Sequence, residues 1–168
     1  MRLLPSAAIL LLGLASCGAP ERLTMESGPV SLVAAGPLFE GSNTAQGTWT
    51  AGLEAFLAER GYSTGQLREA RLVSARISGA DSTSLRGIRS VSVQWVGGDL
   101  GMQQVAVRNP LPADSAAAQL TVAAEQRKLD ELLRSGAITV VADLDLAADQ
   151  ESDRHVIGYF TLELTLAP

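Results

Sequence analysis

Apolar and polar residues alternate along much of the second half of the chain, and this two-residue period predicts strands half-buried against a core. In Ile88 to Val96, Val91, Val93 and Trp95 alternate with Ser90, Ser92 and Gln94. In Ala137 to Leu146, Ile138, Val140, Ala142, Leu144 and Leu146 share one side, and in Val156 to Leu166 Gly158, Phe160, Leu162, Leu164 and Leu166 do. Arg71 to Ser78 reads the same way, with Val73, Ala75 and Ile77 inward and Leu72, Ser74, Arg76 and Ser78 outward; Gln103 to Arg108 adds a run with Val105 and Val107 inward. Gly97-Gly98-Asp99 joins two of these runs and predicts a hairpin, and the acidic turn Ala147 to Arg154 predicts a second one between the last two strands. Arg22 to Ala34 alternates in part and is broken at Gly28-Pro29, as in a strand interrupted by a bulge or turn. Gly36 to Gly47, rich in Gly, Ser, Asn and Thr with only Leu38 and Phe39 strongly apolar, predicts a loop or an edge strand.

A helical period appears twice. Leu53, Phe56 and Leu57 fall on one face of a segment from Ala51 to Arg60, with Thr50 as the expected cap and Gly61 as the stop. Ala113 to Arg134 has the composition of one long helix, yet Leu120 and Val122 alternate with Gln119 and Thr121. The favoured reading is a short strand at Gln119 to Val122, then a helix from Ala124 to Arg134 closed by Gly136, because Leu129, Leu132 and Leu133 form a compact face only there. Asn109-Pro110-Leu111-Pro112 breaks any element before it, and Gly79-Ala80-Asp81-Ser82 reads as a turn. The expected fold is α+β: a mainly antiparallel sheet or β-sandwich with two amphipathic helices, in one domain spanning residues 22–168.

The first residues follow a different pattern. Arg2 precedes an apolar run from Leu3 to Leu14 interrupted only by Pro5, Ser6 and Gly13, too short to span a hydrocarbon core that needs about 20 residues but suited to an export signal. It ends in Leu14-Ala15-Ser16-Cys17, which resembles the lipobox of bacterial lipoprotein precursors. The resemblance implies cleavage after residue 16, acylation of the Cys17 thiol and of the new amino terminus, and a short lipidated tether over residues 17–21. Acyl chains contribute about 0.8 kcal/mol per buried CH₂ and hold a protein to a bilayer without a spanning helix. Gly18 stands where an aspartate resembles an inner-membrane retention cue in some bacteria, so the implied address is the outer membrane of the cell envelope.

Composition narrows the partners. The 168-residue chain carries 13 Lys and Arg against 18 Asp and Glu, for a formal charge of -5; loss of residues 1–16 removes Arg2 and no acid. An acidic surface is not drawn to nucleic acid or to anionic lipid by its field. Cys17 is the single cysteine, which excludes a disulfide framework and a thiolate metal site.

Few residues suggest catalysis. His155 is the only histidine, too few for a multi-histidine metal site, and no Gly-x-Ser-x-Gly elbow is present to use it as a base. Asp143, Asp145, Asp149, Glu151 and Asp153 have oxygens at spacings that suit calcium, but the first two are outward strand positions and the others crown a turn lacking the glycine of an EF-hand loop. Trp95 and Phe160 fall on inward faces and are expected in the core, and Gly97 to Gly101 has no helix behind it to cradle phosphate. No cofactor is implied. The expectation is therefore a non-catalytic, lipid-anchored envelope protein that binds or scaffolds another envelope protein. The alternative is a carrier holding an apolar molecule between sheet and helices, which requires a continuous internal cavity of about 300 Å³ or more.

Overall fold

A computed structural model describes residues 19–80, 85–112 and 114–168. The export segment, Cys17, and Asp81 and Ser82 of the expected turn lie outside the described residues. The elements are β1 (Glu21–Glu26), β2 (Val30–Ala34), β3 (Gly41–Thr50), α1 (Leu53–Ala58), β4 (Leu67–Gly79), β5 (Ile88–Gly97), β6 (Leu100–Arg108), β7 (Ala117–Val122), α2 (Leu129–Arg134), β8 (Ala137–Leu146) and β9 (Arg154–Leu166). Every strand pairing is antiparallel.

The order β9-β2-β3-β8-β5-β6-β7-β4 returns to β9, so eight strands close a barrel, and β1 lies on the same edge of β9 as β2. This is a closed sheet rather than the two facing sheets of a sandwich. The interruption expected at Gly28-Pro29 is real: β1 pairs with the C-terminal half of β9 and β2 with its N-terminal half. Between them the Ser27 amide donates to the Phe160 carbonyl at 2.9 Å, and the Phe160 amide donates to Ser27 Oγ at 3.0 Å.

The alternating strands fill the barrel. Ile138, Val140, Ala142, Leu144, Leu146 and, from β9, Val156, Leu162, Leu164 and Leu166 are all fully buried. Along the axis Trp95 lies between Trp49, with ring centroids 5.4 Å apart, and Phe160, edge to face at 5.2 Å, a geometry that suits the aromatic quadrupoles. Phe160 turns back over Gly158, where a Cβ would stand only 2.8 Å from the ring.

Both helices sit at one end of the barrel. Leu53 and Leu57 of α1 and Leu129, Leu132 and Leu133 of α2 are buried in the same core as the strands. α1 ends at Ala58, two residues before the expected Arg60, and Gly61 closes the turn that follows: with φ of 81°, it lets its own amide reach the Ala58 carbonyl and the Tyr62 amide reach the Leu57 carbonyl, each at 3.0 Å, satisfying the last turn. The residues before Glu21 also leave from this end, since β1 starts opposite Leu166, where β4 also begins. The connections 35–40 and 147–153, with Leu85 to Gly87 and residues 109–112 and 114–116, gather at the other end.

Several expectations are corrected. Of Gly36 to Gly47, residues 36–40 form the expected loop, but from Gly41 onward the segment is neither loop nor edge: it belongs to β3, paired with β8 over its whole length and with β2 on the other side. Up to Gly47 its inward side carries only Gly41, Asn43, Ala45 and Gly47, so no apolar series precedes the buried Trp49, and at Gly47 a Cβ would fall 2.0 Å from the Ser31 carbonyl. In β4 Leu72 is buried and Val73 is exposed, because a bulge at Leu72/Ser74 shifts the alternation by one. A similar irregularity between β5 and β6 buries Ala106 beside Val105 and leaves Val107 only half-buried. Thr50 ends β3, and α1 starts instead from Gly52. α2 starts at Leu129, not Ala124, because the Gln126 side chain pairs with the open edge of β4: Oε1 accepts from the Leu72 amide at 2.6 Å and Nε2 donates to the Leu72 carbonyl at 2.9 Å. Finally, β8 and β9 form no hairpin. The β2–β3 pair lies between them, and the 147–153 connection arches over the 35–40 connection, tied to it by two Leu38–Gln150 backbone bonds at 2.8 and 2.9 Å.

The crossing of β2 over β3 gives a direct test. Gly47→Ala should lower stability by more than about 2 kcal/mol, since the clash is with backbone, whereas Gly101→Ala, with open space around it, should stay within about 0.5 kcal/mol; denaturant midpoints measure both.

Candidate functional site at the loop end of the barrel

The segment from Gly36 to Gly41 is fixed at nearly every position. The Gly36 amide donates to Asp153 Oδ1 at 2.9 Å, the Phe39 amide to Asn43 Oδ1 at 3.2 Å and the Glu40 amide to Asp149 Oδ1 at 2.7 Å. Asn43 Nδ2 donates back to the carbonyls of Phe39 at 2.7 Å and Gly41 at 2.9 Å. Leu38 is buried while Phe39 is 65% exposed. A rigid backbone therefore holds a large aromatic side chain in water, an arrangement that loses little further entropy on being covered.

Next to Phe39, the carboxylate of Glu40 accepts from Arg89 at 3.2 Å, and the same guanidinium bonds both oxygens of Asp145 at 2.8 and 3.1 Å. Arg89 and Asp145 border a groove of about 510 Å³ lined by Leu85, Ile88, Leu111, Pro110 and Pro112, with the Arg86–Asp114 ion pair at 3.5 Å on its margin. Phe39, the Glu40–Arg89–Asp145 pairs and this groove are thus connected through one chain of contacts. An apolar floor with charged groups at its rim has the layout of a protein-binding surface.

The acidic residues have structural uses. Asp149 and Asp153 hold the Phe39 segment, Asp145 holds Arg89, and Asp143 accepts from Gln94 at 2.9 Å and Thr44 at 3.2 Å. Glu151 is exposed. Among the described residues no three acidic, histidine or cysteine side chains come together as a cation site. His155 is exposed on β9 opposite Val33. Two other clefts open at the surface, one of about 350 Å³ between α1 and α2 and one of about 230 Å³ on the outer wall. No described helix is long and apolar enough to cross a membrane.

Phe39 was open to notice in the sequence only as half of an apolar pair inside a polar stretch. Which of Leu38 and Phe39 faces out depends on the bonds to Asn43 and Asp149, and Asp149 lies more than a hundred residues away.

No family model matches the chain, and no curated protein matches it. Among solved structures, one from Desmodium yellow mottle tymovirus aligns at a TM-score of 0.34 and 14% identity, covering 98% of this chain and 95% of that one. A carbohydrate-binding module of the β-sandwich superfamily aligns at 0.35 and 9%, covering 88% and 58%, and infectious bursal disease virus at 0.36 and 12%, covering 98% and 41%. Likenesses this remote carry no argument about function.

The Arg89 hydrogen bond holds the Asp145 carboxyl below the usual carboxylate range, against a smaller opposing effect of desolvation. A lowered folded-state pKa contributes stability that is present above the unfolded value of about 3.9 and is lost as pH falls through the folded value. Unfolding midpoints of the native protein and of Arg89→Ala should therefore differ at neutral pH and converge in acid, and the difference should shrink in high salt because the groups are exposed.

Proposed function

We propose that the protein is a lipid-anchored envelope protein whose barrel performs no reaction of its own and binds another envelope protein through its loop end. The observation that carries this reading is the exposed Phe39 ring on a segment immobilised by Asn43, Asp149 and Asp153. Aromatic residues dominate the binding energy of protein interfaces, and rigid ones lose least entropy on binding. The lipobox-like Leu14-Ala15-Ser16-Cys17 supports the anchor. The tether would enter at the helix end, so the loop end would point away from the bilayer, and Gly18 after the cysteine favours the outer membrane. The rival reading, carriage of an apolar molecule, calls for an enclosed apolar space. The barrel axis is instead filled by Trp95, Phe160 and leucines, and a filled interior supports the binding module.

Photo-crosslinking in native envelopes tests the interface. With p-benzoylphenylalanine in place of Phe39, a discrete protein adduct should form and should weaken when Arg89 is also changed to Ala. The same probe in place of Met102, exposed on β6, should give none. No adduct at position 39, or the same adducts at both positions, would refute the assignment.

A further inference from the structure

Sheet register brings polar side chains from four adjacent strands together on the outer wall, well away from Phe39. Glu26 of β1 and Ser74 of β4 both pair with Thr161 of β9, forming one row across the sheet. In the next row Tyr159 of β9 pairs with Arg76 of β4, and Arg76 with Gln119 of β7. The inward neighbours Met25, Ala75, Ile77, Ala118 and Phe160 are buried, so these rows face outward. They line the cleft of about 230 Å³, and Gly28, at the break between β1 and β2, has open space where a side chain would stand.

The polar groups in this cleft are largely unengaged. The Arg76 guanidinium lies 4.1 Å from the centre of the Tyr159 ring, a stack that orients its plane and uses none of its five N–H donors. Among the described residues neither Arg76 nor Glu26 has a hydrogen-bond or ion-pair partner, whereas most other charged side chains have one. Gln119 Nε2 donates to Ser74 Oγ at 2.9 Å, which leaves the Gln119 carbonyl oxygen as an acceptor.

The chemistry of the lining selects among ligands. One guanidinium and one carboxylate balance, so the cleft has no excess positive charge to hold a phosphate. Donors and acceptors are interspersed, as closely spaced hydroxyl groups require, since each hydroxyl both gives and accepts a hydrogen bond. The volume is below the roughly 300–1,000 Å³ of sites for drug-sized ligands and suits a single ring. We propose that this cleft binds one sugar unit of a glycan, with the Arg76 N–H groups, the Glu26 carboxylate and the Gln119 carbonyl bonding its hydroxyls and the Tyr159–Arg76 stack forming one side. This site is independent of the loop-end interface.

Amide NMR spectra of the ¹⁵N-labelled protein, purified in a sugar-free detergent, would be followed during titration with maltotriose, cellotriose, chitotriose and mannotriose up to about 10 mM, a range that reports weak, millimolar binding. At least one trisaccharide should shift the amides of Ser74, Arg76, Gln119 and Tyr159 saturably. Arg76→Ala and Glu26→Gln, exposed changes that remove no internal bond, should each weaken that binding by about tenfold, the scale of one hydrogen bond to a charged group. Phe39→Ala should leave it unchanged. Absence of saturable shifts with all of the trisaccharides, shifts confined to other residues, or affinity within twofold of the native protein in both cleft variants would overturn the proposal.

Discussion

β9 bonds along both of its edges, to β4 on one side and to β1 and then β2 on the other. This double pairing makes the sheet a barrel. Without it, β4 and β2 would both present unpaired edges to solvent, the exposure that invites edge-to-edge association. Its alternation supplies Val156, Phe160, Leu162, Leu164 and Leu166 to the interior, and Gly158 makes room for the Phe160 ring that meets Trp95 on the axis. The β1 pairing also sets the start of β1 beside the end of β9, since Glu21 lies opposite Leu166.

That closure gives the molecule two unlike ends. At one, α1 and α2 cover the core and the amino-terminal segment departs, with Tyr62 donating to Glu21 and fixing the start of β1 there. At the other, long connections are tied to one another by carboxylates that would otherwise look like a cation site. Thirteen residues at about 3.3 Å each, tilted by about 40°, separate the ends by roughly 30 Å. On the function proposed above, a lipid at one end and a rigid aromatic at the other would make the barrel an adaptor, with this polarity as the property it uses.

Where inward positions carry large apolar residues, as in β5, β8 and β9, the strands were legible, including the inward placement of Trp95 and Phe160. Legibility failed where the inward side is Gly41, Asn43, Ala45 and Gly47, because small residues leave no hydrophobic period although the strand is fully paired. It failed again at Leu72 and Val73, where a bulge reverses the faces, and at Gln126, whose side chain takes the place of a strand. The partner of β8 was also hidden: nearness in sequence suggested β9, while the β2–β3 pair intervenes. The acidic residues of 143–153 were visible as a group, but their use as anchors for the backbone of 36–40 depends on contacts between distant parts of the chain. No periodicity reports such contacts.

Because Cys17 is the single cysteine, a thiol-reactive fluorophore can report both the anchor and the polarity of the barrel. The native chain purified from envelopes should take up no label, its thiol being acylated. Glu59→Cys, just beyond α1, and Glu151→Cys, at the loop end, should each take up one label, and after reconstitution a headgroup-attached quencher should quench the first strongly and the second weakly. Labelling of Cys17 in the native protein, or equal quenching at the two positions, would contradict a barrel anchored at its helix end with its loop end held away from the membrane.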